Sequence, residues 1–285
     1  IMVSICCITY NQETYIKQAL DSFLNQKTNF KYEILVHDDA STDNTINILK
    51  KYQKQYREKI KVFYEEENQY SKGVKISAKY LFPNAKGKYI ALCEGDDYWT
   101  DDNKLQKQID YMELNADCTL TFHAHNYVNE KGEFIKSIST YEKSCRSNMS
   151  DIIMGGGEFC ATSSLIFPKY VIEDLPKFYF ECCIGDYPLQ LICSSKGYAY
   201  YLEDNMSAYR VNAIGSWSNN IFNGSKYEIN ERVCRIYDNI VDMLKSLNLY
   251  TNEIYKDIIN KKITEINFKK LRIQCNKEIL NNRIY

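Results

Sequence analysis

Lys88-Tyr-Ile-Ala-Leu-Cys-Glu-Gly-Asp-Asp-Tyr-Trp-Thr100 changes character in its middle. Tyr89 to Cys93 is a compact apolar run whose length and content predict a buried strand rather than a helix. Glu94-Gly95-Asp96-Asp97 then ends it with three carboxylates. In open α/β sheets, ligands bind outside the carboxyl ends of the strands. Carboxylates crowded there repel one another unless a cation or solvent relieves them. Mg²⁺ or Mn²⁺ would do so, since hard cations take oxygen ligands and share them with phosphates. The stretch therefore predicts a metal–diphosphate site. An acidic turn leading into a helix near Asp101 is the competing reading.

Upstream, the same pattern repeats. Met2 to Thr9 is a near-continuous apolar run, the mark of a strand covered on both faces, and it ends in Tyr10-Asn11. Tyr32 to His37 is a second strand, ending in Asp38-Asp39. Ile60 to Tyr64 is a third. Helices are predicted between them, from about Glu13 to Gln26, through Ile46, Leu49 and Tyr52, and around Val74 to Phe82. Asp43 or Ser41 is placed to cap the second. Alternation of strands and helices predicts an α/β fold: a mostly parallel, twisted sheet with helices on both faces. Thr9-Tyr10-Asn11, Asp38-Asp39 and Glu94 to Asp97 then share one sheet edge. An aromatic, an amide and two acidic clusters on one edge suit a Rossmann-like nucleotide site. No G-x-G-x-x-G follows the first strand and no G-x-x-x-x-G-K-[ST] occurs, so a dinucleotide fingerprint and a P-loop are both excluded.

Downstream, a helix is predicted from Asn103 to Leu114, strands at Cys118–Phe122 and Ala161–Phe167, and a hairpin turn at Asn129 to Gly132. Gly155-Gly156-Gly157 reads as a hinge or an acceptor-side loop. Asp186, with Pro188 in the first turn after it, reads locally as a helix cap. Short strands follow at Tyr198–Leu202 and Ser207–Val211. Beyond Tyr227 the chain reads as helices, with stripes at Ile229, Val233, Ile236, Ile240, Leu244 and at Ile254, Ile258, Ile259, Ile263, Ile266. Packing on the core is the primary expectation for these helices. A homodimer contact or a peripheral membrane contact is the alternative.

The 285 residues carry a net charge of −1, so no global field points to nucleic acid. No apolar run reaches the length of a membrane span, and the expectation is a cytoplasmic chain, with peripheral contact at the inner membrane face as its extension. Eleven cysteines without a C-x-x-C pair read as buried or free thiols in a reducing compartment. His123 and His125 lack a further ligand at metal spacing, and a structural role is expected of both.

Taken together, Val3-Ser-Ile-Cys-Cys-Ile-Thr-Tyr-Asn11, Ile34-Leu-Val-His-Asp-Asp-Ala-Ser-Thr-Asp43, Ala85-Lys-Gly-Lys-Tyr-Ile90 leading into Glu94-Gly-Asp-Asp97, Gly185-Asp186 and Tyr209-Arg210 resemble the family 2 glycosyltransferases. The resemblance covers about residues 2–217 and implies the type A glycosyltransferase (GT-A) fold. It implies a nucleotide-sugar half over about 1–100, an acceptor half over about 101–217 and a C-terminal helical extension over 218–285. Thr9, Tyr10 and Asn11 would line the nucleotide pocket, and Asp38 and Asp39 would read the base, most often uracil. Glu94-x-Asp96 stands where the family has Asp-x-Asp, so Glu94 and Asp96 would meet the ribose and diphosphate, and Asp96 and Asp97 the metal. Asp186 matches the general base, although the family's usual Glu-Asp is Gly185-Asp186 here. The position two beyond Arg210, a histidine in some relatives, is Asn212.

The implied activity is that of an inverting glycosyltransferase of the hexosyltransferase type. It would move sugar from a nucleotide-diphosphate donor, expected to be a UDP-sugar, to a glycan or lipid-linked glycan acceptor in bacterial cell-surface polysaccharide synthesis. Lys72, Lys75 and Lys79 read as a solvated helix face, with a diphosphate contact by one of them as the alternative. A non-catalytic sugar-nucleotide or glycan-binding module is the main competing function. A sugar nucleotidyltransferase is disfavoured, because it would carry a Gly-rich basic loop where Thr9-Tyr-Asn-Gln12 stands.

Overall fold

The computed structural model describes residues 1–213 and 216–281. Ten strands form one sheet: β1 (Val3–Thr9), β2 (Tyr32–Asp38), β3 (Ile60–Tyr64), β4 (Tyr89–Leu92), β5 (Tyr98–Trp99), β6 (Cys118–Val128), β7 (Phe134–Ile138), β8 (Cys145–Ser147), β9 (Ile166–Pro168) and β10 (Tyr198–Arg210). Nine α-helices accompany them among the described residues: α1 (Ile16–Leu24), α2 (Thr45–Gln55), α3 (Lys104–Leu114), α4 (Met149–Gly155), α5 (Lys177–Glu181), α6 (Asp186–Ser195), α7 (Trp217–Phe222), α8 (Lys226–Tyr250) and α9 (Lys256–Asn281).

The sheet runs in the order β3-β2-β1-β4-β9-β6-β10-β5, with β7 on β6 and β8 on β10. β3, β2, β1 and β4 are parallel, as right-handed strand–helix–strand crossovers require. The other half is mixed. β9 runs antiparallel to β4 and β6, and β5 antiparallel to β10. The parallel expectation thus holds for β1 to β4, while the rest of the sheet combines the parallel β6–β10 pair with antiparallel neighbours.

Successive side chains of β1 go to opposite faces, as the strand period of two dictates. Val3, Ile5 and Cys7 pack with Ile16, Leu20 and Phe23 of α1 and with Leu105 and Ile109 of α3. Cys6 joins the other layer, with Phe167, Leu189 and Tyr201. Because both faces are covered, the strand reads as an unbroken apolar run. At the sheet's lower end Gly87 runs against β1. A Cβ there would lie 2.4 Å from the Ser4 nitrogen, which accounts for the glycine in Ala85-Lys-Gly-Lys88.

Several expected elements change form. The helix foreseen around Val74 to Phe82 is a π-turn over Ser77–Leu81 between 3₁₀ turns at Tyr70–Lys72 and Phe82–Asn84. Gly73 takes φ +77°, and Pro83 has no N–H to continue a helix. The Ala161–Phe167 strand is a 3₁₀ turn over Thr162–Ser164 followed by β9. The two short strands near the end are one strand, β10, with irregular pairing around Asn205.

α8 and α9 pack on the sheet's second layer through Val241, Met243, Leu244, Leu247, Ile259 and Ile266. Ile254 departs from its predicted stripe. It lies in the turn between the two helices and is 74% exposed. Ser225 and Glu228 form a capping box at the start of α8. No helix among the described residues is long and apolar enough to cross a membrane.

Candidate active site

The register of the parallel strands assembles the site. Thr9 pairs with Asp38 across β1 and β2. The pairing of β4 with β1 continues past the strand end, as Gly95 N donates to the Ile8 carbonyl at 3.0 Å and Asp39 N to the Thr9 carbonyl at 3.0 Å. The three polar tips foreseen in the sequence therefore stand side by side. The first two tips turn through left-handed backbone, at Asn11 (φ +50°) and Ala40 (φ +64°). Alanine is costly there, and such conformations persist where the surroundings enforce them.

At the first tip, Thr9 Oγ1 donates to Gln12 Oε1 at 2.8 Å, and the Gln12 side chain favours the charged form of Asp96. Gly95 is wedged between them. A Cβ there would lie 2.5 Å from Gln12 Oε1 and 2.9 Å from Thr9 Oγ1. Asn11 locks the first tip to the second. Its N–H donates to Ser41 Oγ at 2.9 Å, and its Oδ1 accepts from Thr42 N at 2.7 Å. Tyr10 remains 36% exposed, leaving ring area for a stacked base.

At the second tip, Asp38 is fully buried. Its Oδ2 accepts from Ser41 N at 3.1 Å, while Oδ1 has no partner. Burial raises its pKa. Asp39 accepts from Gln69 N at 2.7 Å and Tyr70 N at 3.0 Å, one bond on each oxygen. Asp39 thus folds the 68–72 segment over the strand tip, and only its remaining lone pairs are available to a ligand.

At the third tip the carboxylates divide. Asp97 points inward and is buried; its Oδ1 accepts from Arg210 N at 2.8 Å, and its Oδ2 has no partner. Burial, then the Asp96 charge, raises its pKa well above the carboxylate range. Asp96 is likewise raised by burial, with Arg210 opposing. Glu94 is exposed to solvent yet sits within a crowded recess. Its surroundings, with the Asp96 and Asp186 charges, push its pKa up to about 8; solvent access tempers the desolvation part of that shift.

Arg210 was quoted in the sequence without a role. It is 3% exposed, and its Nε donates to the Asp96 carbonyl at 2.9 Å. Its other nitrogens hold the Asn129 and Glu130 carbonyls and Gln18 Oε1. Gln12, the other residue missed, follows Asn11 directly. A polar residue continuing a strand tip was its only signal.

Asp186 comes to the same place from the far half of the chain. It is the first residue of α6, half-buried, and its Oδ1 accepts from Tyr187 N at 2.7 Å. Gly185, not Asp186, is the N-cap of α6 and no side chain caps it, so the cap foreseen at Asp186 does not form. The Asp186 charge is felt at Glu94, whose pKa it raises. Burial raises the Asp186 pKa. The Gly155–Gly157 segment closes over it, with a Cβ on Gly157 lying 3.8 Å from Asp186 Oδ1. Gly185, by contrast, opens onto empty space.

Among the described residues, no three His, Cys, Asp or Glu side chains are placed to hold a metal by themselves. The residues nevertheless fit Mg²⁺ or Mn²⁺ in the manner of sites that use one or two carboxylates and complete the shell with substrate phosphates and water. The crowded Glu94 and Asp96 and the unpartnered Asp97 Oδ2 are hard oxygen donors whose repulsion a cation relieves. His123 and His125 are buried in β6, and burial lowers both pKa values, His125 to about 4. All eleven cysteines are free, eight of them buried.

A family model described as glycosyl transferase family 2 matches residues 4–175. The chain belongs to that family. It is 35% identical over 218 residues to an uncharacterized protein of Mycobacterium tuberculosis, covering 75% of this chain and 60% of the relative. It therefore spans less than two thirds of that relative's length. It is 31% identical over 199 residues to the Escherichia coli UDP-Glc:α-D-GlcNAc-diphosphoundecaprenol β-1,3-glucosyltransferase, covering 69% of this chain and 71% of the relative. The crystal structure of Staphylococcus aureus TarS 1–349 in complex with UDP-GlcNAc is similar with a TM-score of 0.62 at 19% identity, over 90% of this chain and 73% of that one. A Pyrobaculum calidifontis mannosyltransferase in complex with GDP-Man and Mn²⁺ is similar at 0.57 and 13% identity, over 93% and 72%. The fold is that of the GT-A glycosyltransferases.

Proposed function

We propose that the chain is an inverting glycosyltransferase that moves a hexosyl group from a UDP-sugar to an acceptor hydroxyl in cell-surface polysaccharide synthesis. The observation that carries this reading is the gathering of Thr9, Asp38, Asp39 and the Glu94-Gly-Asp-Asp97 turn on one sheet edge by strand register, with the Asp186 charge felt at Glu94. The named relatives support the donor class in one case and the polysaccharide role in the other. One is the E. coli UDP-Glc transferase, and another is named for teichuronic acid biosynthesis in Bacillus subtilis, 34% identical over 131 residues (46% of this chain, 49% of the relative).

In this reading Thr9, Tyr10 and Asn11 line the nucleotide pocket, Asp38 and Asp39 shape its base end, and Glu94 meets the ribose. Asp96 and Asp97 would hold Mg²⁺ or Mn²⁺, which when bound stabilises charge on the departing diphosphate. Asp186 takes the proton of the acceptor hydroxyl as the new oxygen–C1 bond forms. The C1–oxygen bond to the diphosphate breaks on the opposite side, and the diphosphate leaves with the electron pair. Burial raises the Asp186 pKa and so makes it a stronger base, which is what this step needs. Residues 1–217 carry the donor and acceptor halves and 218–285 the helical extension. The chain works in the cytoplasm, in contact with the inner membrane face where a lipid-linked acceptor lies.

Incubation with UDP-glucose, UDP-galactose and UDP-GlcNAc in Mn²⁺, with UDP release as the readout, tests the proposal. Release from one donor that disappears in Asp186→Asn is expected. UDP binding without release from any donor, with or without a glycan acceptor, would favour the non-catalytic module.

A further inference from the structure

The three lysines between β3 and β4 differ in what they touch. Lys72 pairs with Glu67. Lys79 is exposed and lies over the Tyr80 ring. Lys75 is half-buried, and its Nζ donates to the Ile184 carbonyl at 3.0 Å. Among the described residues, no carboxylate forms an ion pair with Lys75 or Lys79. Burial lowers the Lys75 pKa, and the charges of Cys182, Cys183 and Asp186 oppose that shift. Lys75 therefore belongs to the surroundings of Asp186 rather than to those of Asp96.

Lys75 and Lys79 line an open cavity of about 440 Å³ together with Gly73, Val74, Ala78 and Phe180. Phe180 is 49% exposed. A half-buried ammonium with one carbonyl partner keeps donors to spare and is best satisfied by an anion, because burying a charge without a counter-charge is unfavourable. The remaining wall is apolar. The combination suits a ligand with an anionic head and a hydrocarbon tail.

We propose that this cavity binds the diphosphate and first isoprenoid units of a lipid-diphosphate-linked sugar acceptor, with Lys75 and Lys79 on the diphosphate and Val74, Ala78 and Phe180 on the chain. The assignment rests on the reading of Asp186 as the base, since the Lys75–Ile184 bond anchors the cavity two residues from that carboxylate. The acceptor sugar, joined to the diphosphate, then extends toward Asp186. A soluble, uncharged glycan would leave both lysines without a counter-charge.

Farnesyl diphosphate serves as the probe, titrated calorimetrically with UDP and Mn²⁺ present to occupy the donor site; inorganic pyrophosphate and farnesol are the comparison ligands. Binding of farnesyl diphosphate is expected to weaken about tenfold or more in Lys75→Gln, a loss of about 1.4 kcal/mol. It should stay within about threefold in Lys75→Arg, which keeps the charge, and weaken about fivefold in Phe180→Ser, which removes buried apolar area. UDP affinity should be unchanged in all three variants. Farnesyl diphosphate binding that is indifferent to Lys75→Gln and Phe180→Ser overturns the proposal, as does pyrophosphate or farnesol binding as tightly as the complete probe. Should the unaltered protein fail to bind UDP, the donor reading fails separately, and farnesyl diphosphate titrated alone still decides this one.

Discussion

The main-chain N–H of Arg210 reaches Asp97 Oδ1 at 2.8 Å, while the Arg210 side chain holds the Asp96 carbonyl at 2.9 Å. The last residue of β10 thus fixes the Asp97 carboxylate and the Asp96 backbone at the proposed donor site. β5 sets this up by pairing antiparallel with β10, Tyr98 opposite Ala208. Arg210 acts as a positioning residue, with its guanidinium between the Tyr15 and Tyr98 rings at 4.6 and 5.6 Å from their centroids.

Arg210→Lys should therefore weaken both the fold and nucleotide binding. A lysine cannot reproduce a fork that holds four acceptors at once, and leaving buried acceptors unpaired costs about 1–3 kcal/mol each. Thermal unfolding and UDP calorimetry would report a lowered Tm and a larger Kd together. An unchanged Kd would show that Asp96 and Asp97 are held without it.

Asp186→Asn keeps shape and can still accept the Tyr187 N–H bond, so stability and UDP affinity should be retained. Transfer should fall by about 10²–10⁴-fold, the usual worth of a general base. Steady-state kinetics with a competent donor would separate the two effects, and a fall confined to donor KM would move the base elsewhere.

Gly95→Ala tests how tightly the first and third strand tips abut. The added methyl would meet Gln12 Oε1 and Thr9 Oγ1. Overpacking of this kind costs about 1–3 kcal/mol, and Thr9 would be driven off its position in the pocket. A lower Tm with weakened UDP binding is expected, and wild-type values for both would place Thr9 outside the nucleotide contact.

Lys104 predicts a pH signature in stability. It is fully buried beneath the Trp99 ring, its Nζ donating to Gln108 Oε1 at 2.7 Å. Burial lowers its pKa from 10.5 to about 7. Between those values the unfolded chain binds the extra proton and the folded chain does not, so stability rises with pH and is weakest below the folded pKa. Relative to Lys104→Met, the wild type should gain up to about 1.4 kcal/mol per pH unit between about pH 7.5 and 8.5. Parallel stability curves for the two proteins would show that Lys104 is charged in the fold.

The N-terminal strands β1 to β4 were legible because local pattern and global packing agree there. Strands covered on both faces read as apolar runs, and their polar ends fall on one edge by topology alone. The rest of the sheet was less legible, since its strands pair over long range and in mixed directions, β6 parallel to β10 but antiparallel to β7 and β9. Glu203-Asp204-Asn205 interrupts an apolar pattern and reads as a break between two strands, where it is an irregularity within β10. The role of Arg210 depends on a partner 113 residues away, and no local motif encodes that distance. Lys75 read as part of a solvated helix face. The π-turn that follows it has helix-like spacing in sequence, and only the packing against Ile184 distinguishes it.

Calorimetric titration of UDP into the wild type and Asp96→Asn, each in Mn²⁺ and in chelator, tests the central claim most directly. UDP should bind the wild type in Mn²⁺, and that binding should be lost in chelator and weakened at least about tenfold in Asp96→Asn. Equal binding with and without the metal, or binding indifferent to Asp96, would contradict the account of this edge as a metal–diphosphate site.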